Sequence, residues 1–486
     1  MIKLNKEVYL DKLRACWIGK NVGGTLGAPF EGWRKFLAVT GFSTPSGEPL
    51  PNDDLDIQLV WLCALEKAGV KNFDANVLAE FWLDWIAPHW NEYGIAKTNL
   101  SLGLLPPMSG EVDNEKWKTS NGAWIRSEIW AAIAPGVVDV AIKYAVMDAM
   151  VDHGIAEGTI AEIFTCAMQS LAYIESDVRV LIESALNKIP TQSMVAKTVR
   201  KVMELYDKGV DYEQTRAEIV ELNKELGWFQ APINLGFVII GLLYGNGDYK
   251  KSVLYAVNCG DDTDCTAGTV ASTLGIIGGT AAIPDDWKAF VGDKILTVSI
   301  NGNYQYEYPR TCTALTERVA KILPEVMREN HVEFELTDGE NEIDFESVKN
   351  YNRLTSADVI YKNPYTFEYN FFRPLKIEVS LDGSPKLSEK DNGNLERKIT
   401  FTFKNVSQQP FKLFFKVILP DGWTCDTYQK TMTLGYPQYI HGLYGVKSAE
   451  FKVNANGNVA DVNRVCLQVT SSAIPYPIVV PVTFLG

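Results

Sequence analysis

Two aspartate clusters stand about two hundred residues apart in this chain, Asn52-Asp53-Asp54-Leu55-Asp56 and Gly260-Asp261-Asp262-Thr263-Asp264-Cys265-Thr266. Carboxylates crowded this closely repel one another, and a cation that prefers oxygen ligands relieves the repulsion; Mg²⁺ and Ca²⁺ take Asp, hydroxyl and water oxygens. Neither segment is an EF-hand loop, because the first lacks the alternating D-x-[DN]-x-[DN]-G pattern and the second has no closing glutamate. Asp and Asn also cap helices. Three acids in each of two clusters exceed what capping needs, so the pair reads as a split site for a hard cation.

The elements that must carry these acids are helices. After the first cluster, Ile57, Val60, Trp61 and Ala64 fall on one helical face, which puts the acids at the amino end, where the helix dipole favours negative charge. After the second, Gly268, Ala271, Gly275 and Gly278 form a smooth stripe, and Gly19, Gly23 and Gly27 form another near the amino terminus. Glycine costs roughly 1 kcal/mol relative to alanine inside a helix, so its repeated use points to close packing of helices.

The first 330 residues keep this helical periodicity. Beyond about residue 367 the pattern alternates, as in Leu375–Leu381, Ile399–Phe403 and Val465–Val469, with turn signals at Asp382-Gly383, Asn392-Gly393, Asp421-Gly422 and Asn456-Gly457. The expected architecture is a multidomain chain: an all-α orthogonal helical bundle over 1–330, then an all-β immunoglobulin-like sandwich over 367–486. The acidic segment 331–366 is either a linker or the start of the second domain. In the sandwich, Phe411–Val417 and the Tyr-rich segment Tyr436–Tyr444 are candidates for a partner surface or a roof over the cleft, with a rigid appendage as the plainer reading.

A net charge of −14 over 486 residues argues against nucleic acid as a partner. No apolar run suits a signal peptide or a membrane span, and eight scattered cysteines without a CxxC pair fit a cytoplasmic protein with reduced thiols. Four histidines leave little for a His-rich transition-metal site, and G-x-S-x-G, P-loop and H-E-x-x-H motifs are absent.

Gly23-Gly-Thr-Leu-Gly-Ala-Pro-Phe-Glu31, Asn52-Asp-Asp54 and Asp262-Thr-Asp264 together resemble, in order and separation, the three signature segments of the ADP-ribosylglycohydrolases. The likeness covers about the first 300 residues. It implies an all-α fold with a cleft for one or two Mg²⁺ ions, with Mn²⁺ or Ca²⁺ as alternatives, and hydrolysis of an N- or O-glycosidic bond to ADP-ribose, ribose or a nucleoside-like group. Carried over by position, it implies metal ligands at Asn52, Asp53, Asp54, Asp262, Asp264 and Cys265, and catalytic roles for Glu31, Asp54 and Asp264. Weaker likeness places Asn121, Gly122 and Arg126 on a substrate loop and His153 near the cleft. For Asn121-Gly122 a capping turn, for His153 a capping or packing role, and for Trp124 and Arg126 core and surface positions stand as alternatives.

The chain departs from the family pattern at four points. Asn52 stands for Thr, Gly24 for Asp, Cys265 for Thr or Ser, and Leu55-Asp56 for Thr-Gln. A thiol is a poor Mg²⁺ ligand, so the second metal position is expected to be weakened, to take a softer ion, or to lean on Thr266. Expected partners are a small-molecule or ADP-ribosylated substrate, with neither nucleic acid nor membrane, and a homodimer is open. The competing reading is a catalytically weakened, metal-dependent binder of ADP-ribose or a nucleoside.

Overall fold

The computed structural model describes residues 2–304, 306–360, 366–369, 375–387, 395–407, 409–436, 445–471 and 474–486. The chain divides into two compact units, residues 1–98 with 109–359 and residues 99–108 with 360–486.

The first unit is built around helix α1, Lys6–Gly27, and the helix Thr263–Gly278. Asn5 caps α1 by accepting a hydrogen bond from the Val8 N–H at 2.9 Å. The two glycine stripes face each other. A Cβ at Gly19 would lie 2.5 Å from the Ala271 carbonyl oxygen, one at Gly23 2.2 Å from the Gly268 nitrogen, and one at Gly27 2.3 Å from the Asp264 nitrogen. Gly275 returns the contact, 2.5 Å from the Ala15 carbonyl oxygen. The backbones therefore touch, and the start of the second helix is held against the end of the first.

Helix α2, Asp53–Ala68, begins with Asn52 as its cap and is buried from Asp54 to Leu65. Apolar helices such as Ala231–Tyr244 and Glu157–Ala172 supply much of the surrounding core. One feature departs from an all-α expectation: β1 (Ile2–Asn5) pairs in parallel with β2 (Phe334–Thr337), Ile2 opposite Phe334. Residues 331–359 thus fold with the helical unit instead of serving as a linker. Lys188 fastens the same segment, donating to the carbonyls of Asn352 (3.0 Å) and Leu354 (2.8 Å). No helix among the described residues is long and apolar enough to cross a membrane.

The second unit is a pair of antiparallel sheets. One contains β3 (Thr366–Tyr369), β4 (Leu375–Asp382), β5 (Glu396–Asn405), β9 (Val446–Asn454) and β7 (Thr424–Cys425) in that order; the other runs β11 (Ile474–Leu485), β10 (Val462–Ser471), β6 (Phe411–Ile418), β8 (Gln429–Leu434). Alternate residues point into one shared core: Ile377, Phe401 and Phe451 from the first sheet meet Leu413, Leu467 and Val480 from the second. Phe403 stacks on Phe415 across it, with ring centroids 4.8 Å apart. Gly383, Gly422 and Gly457 adopt the positive φ that their turns require, whereas Asn392-Gly393 and residues 437–444 of the Tyr-rich segment lie outside the described residues.

The glycine contact predicts a specific cost. Gly23→Ala gains helix propensity but drives a methyl into backbone that cannot give way, so a net loss of about 1–3 kcal/mol is expected, read as a lowered denaturation midpoint.

Candidate active site

Three chain segments converge where α1, α2 and the helix Thr263–Gly278 meet. Asn52 accepts from the Asp54 N–H at 2.8 Å, which satisfies the helix end and frees the three aspartates of the first turn from capping. At the other helix, Asp262 occupies the cap position without making a side-chain capping bond. Its Oδ2 accepts instead from Asn121 Nδ2 at 2.6 Å, and Asn121 is itself held by Trp124 Nε1 at 3.0 Å.

Asp54 is the most constrained acid. Its Oδ1 accepts from the Cys265 thiol at 3.2 Å, and its Oδ2 lies 3.3 Å from Lys20 Nζ. Lys20 also pairs with Glu128 at 3.0 Å and donates to the Ile125 carbonyl at 2.5 Å; all three charged side chains are fully buried. Glu128 accepts further from Gln58, Gln169 and Ser272. Burial opposes the Lys20 charge, but Glu128 and Asp54 outweigh it and hold the ammonium well above its usual range.

The remaining acids lack such a partner. Glu31 is raised to about 7 by desolvation of its carboxyl and then by Asp53 and Asp54. Asp264 is raised to about 8, by burial first and then by Glu31 and Asp54, and its Oδ1 is buried without a hydrogen bond. Asp53 and Asp262 are pushed well above the carboxylate range by burial, with neighbouring aspartates adding to it. Oxygen and sulfur atoms cluster in two overlapping sets, Glu31, Asp262 and Asp264 in one and Asp54, Asp264 and Cys265 in the other, each within 4.8 Å of one another. The orphaned Asp264 oxygen and the unrelieved repulsion fit a divalent cation. The first set is all oxygen, and the second replaces one oxygen with a thiol.

These residues open onto a cavity of about 350 Å³ lined by Glu31, Asp53, Asp262, Asp264 and Cys265 on one side and by Trp90, Glu92, Tyr93, Ser120, Asn121, Gly122 and Phe229 among others. Tyr93 reaches Asp53 Oδ2 at 3.5 Å.

Several expected site residues sit elsewhere or act differently. The Asn52 oxygen, expected as a ligand, is engaged by its own helix, and its Nδ2 lies 1.7 Å from where a Gly24 Cβ would be. The departures at 52 and 24 are therefore one steric exchange. Asp56 leaves the cluster to accept from the Val298 and Ser299 N–H groups at 2.6 Å each. Arg126 does not line the cavity. Its guanidinium is fully buried, 2.8 Å from Asp148 and 2.9 Å from Asp152, and it donates to the Gly122 carbonyl, so it holds the loop from behind. His153 also lies behind the wall, with Nδ1 2.9 Å from Asp152 and Nε2 3.2 Å from the hydroxyl of Ser120, a residue that lines the cavity. Gly122 leaves room for Glu92, since a Cβ there would meet Glu92 Oε1 at 2.2 Å.

Sequence reasoning does not single out Lys20, Glu128 or Glu92. Lys20 carries a signal, a charge set between Gly19 and Gly23 on a packing face. Glu92 carries none.

Two measurements follow. Unfolded carboxylates titrate near 4, so the metal-free native chain holds extra protons at Glu31 and Asp264 between about pH 4 and 8 and must lose stability as pH rises through that window. The melting temperature in EDTA is expected to fall from pH 5 to 8, and a saturating divalent cation to flatten that slope. Lys20→Met, which leaves Asp54 and Glu128 buried without their counter-ion, is expected to cost about 3–5 kcal/mol in chemical denaturation.

An uncharacterized protein of Archaeoglobus fulgidus is 24% identical over 305 residues, covering 58% of this chain and 92% of its own length. A solved structure described as an ADP-ribosylglycohydrolase-related protein complex is 20% identical, with a TM-score of 0.41 over 65% of this chain and 99% of its own. A FixG-related protein from Vibrio parahaemolyticus is 16% identical with a TM-score of 0.18, covering 23% of this chain and 94% of that one. The family model described as ADP-ribosylglycohydrolase matches residues 5–320, so the chain belongs to the ADP-ribosylglycohydrolases, a family of glycosidase-type hydrolases.

Proposed function

We propose that this cavity hydrolyses the glycosidic bond of an ADP-ribosyl, ribosyl or nucleoside-like substrate with the help of Mg²⁺ or Mn²⁺. The observation that carries the reading is the sharing of Asp264 between two ligand sets at the floor of one cavity. Asp54, Asp264 and Cys265 would hold one cation, and Glu31, Asp262 and Asp264 another. When bound, such a cation supplies Lewis acidity and offsets the carboxylate repulsion.

The chain's own groups do the rest. Glu31 stands at the exposed rim, suited through the oxygen it does not give to a cation to take a proton from an attacking water. Asp53 and Asp264 face the cavity and stabilise positive charge developing at the anomeric carbon, as paired carboxylates do in other glycosidases. Asn121 fixes the Asp262 rotamer through its 2.6 Å bond, and Lys20 favours the charged form of Asp54 from behind, against the push of burial.

The thiol supports a second reading, a metal-dependent binder whose turnover is weakened, because Cys265 spends its proton on Asp54 where the family has a hydroxyl. Release of ribose or ADP-ribose from a substrate panel separates the two. Asp53→Ala and Asp262→Ala are each expected to lower turnover by about 10²-fold or more. Tight binding with no turnover across the panel in either metal would sink the enzyme reading. Cys265→Thr is expected to shift the preferred ion toward Mg²⁺, checked by direct titration of Mg²⁺ against Mn²⁺.

A further inference from the structure

The Phe-rich strand β6 of the second unit sends its residues alternately to the two sides of its sheet. Leu413, Phe415 and Val417 enter the sandwich core, while Lys412, Phe414, Lys416 and Ile418 are exposed on the outer face, Phe414 by 42%. The register of the neighbouring strands surrounds that ring with polar groups in matched pairs. Thr431 of β8 and Thr470 of β10 stand opposite Phe414, and Gln429 and Gln468 stand opposite Lys416. With Phe414 and Lys416 these four line a hollow of about 510 Å³, and none of the four spends its side chain on a hydrogen bond among the described residues.

Charge sets this face apart from the rest of the chain. The protein carries a net charge of −14, yet no Asp or Glu is among the described residues lining the hollow. Lys412, Lys416 and Lys430 form no ion pair among the described residues.

The chemistry of the face specifies its ligand. A half-exposed ring offers a flat apolar surface to C–H groups, the flanking amides and hydroxyls both donate and accept, and the lysines call for an anion. A sugar ring bearing a carboxylate supplies all three. A peptide strand would instead seek unpaired backbone at a sheet edge, and the edge strand β8 is blunted where the Thr433 carbonyl accepts from Lys447 Nζ at 2.8 Å. A bilayer would need a ring that protrudes, whereas Phe414 lines a hollow. Lys412 and Lys416 flank the ring about 13 Å apart along the strand, so a chain of several sugars engages both.

We propose that this face of the sandwich binds an acidic polysaccharide, with one uronic acid ring packed on Phe414, its hydroxyls on the flanking Gln and Thr side chains and its carboxylate on Lys416. The inference concerns the second unit alone and does not rest on the glycohydrolase reading.

The test measures binding of the full chain to polygalacturonate, neutral dextran, poly-L-glutamate and phosphatidylserine vesicles by calorimetry. At 0.15 M salt the Debye length of about 8 Å lets the local lysines act apart from the net charge. Polygalacturonate is expected to bind at least about tenfold tighter than each other probe, and Phe414→Ala to weaken it by about tenfold or more, as for loss of a buried ring contact. Lys416→Gln is expected to cost about two- to fivefold and to make the salt dependence shallower. Melting temperatures of both variants should match that of the unmodified protein, since both positions face outward. Equal affinity for poly-L-glutamate or for dextran overturns the inference, because charge or sugar alone then suffices. Tighter binding to the vesicles, or to none of the probes, overturns it as well, and so does undiminished polygalacturonate binding by F414A. The comparison among probes uses the unmodified protein and stands even where a variant does not fold.

Discussion

The buried ion pair of Lys20 with Asp54 and Glu128 is the interaction on which the rest of the helical unit depends. A lysine with no solvent exposure is expensive unless both its charge and its protons are matched. Here two carboxylates and the Ile125 carbonyl match them. The stem can enter because Gly268 has no side chain, its virtual Cβ being 3.2 Å from Lys20 Cδ. Packing and electrostatics thus meet at one place, where the glycine contact that brings two helices together also leaves the channel through which the ammonium reaches Asp54.

That arrangement divides the acids into two classes. Asp54 has a buried counter-ion in Lys20, which opposes the upward push that burial gives its carboxyl. Glu31, Asp53, Asp262 and Asp264 have none among the described residues and are driven toward protonation. Acids arranged this way favour a cation, because binding one would release protons and relieve repulsion in the same event. The supports behind the wall repeat the logic: Arg126 is neutralised by Asp148 and Asp152, so it stiffens the Asn121-Gly122 loop without offering the cavity a positive charge.

Much of this is legible in the amino-acid order alone. Acid clusters at helix starts, glycine stripes and the change of period from helical to alternating are local patterns, and local patterns survive in a linear string. The glycines of α1 and of the helix Thr263–Gly278 do pack against each other as their spacing suggests. Other readings fail because they depend on which neighbour arrives from far away in sequence. Asp56 counts among the acids of the first cluster, yet its place on the helix turns it to the N–H groups of Val298 and Ser299. Arg126 and His153 have the chemistry of substrate contacts, yet Asp148 and Asp152 reach them first.

By itself the sequence determined the helical and sheet units, because periodicity encodes burial and local backbone preference, while the resemblance of its three signature segments pointed to the family and to the acids able to hold a cation. Only the tertiary structure decided which acids come within reach of one another, which one owns a lysine, and that Glu92 lines the same cavity. Those outcomes turn on distances of a few ångströms between residues such as Lys20 and Glu128, or Asn121 and Asp262, which lie more than a hundred positions apart and meet only when the helices pack.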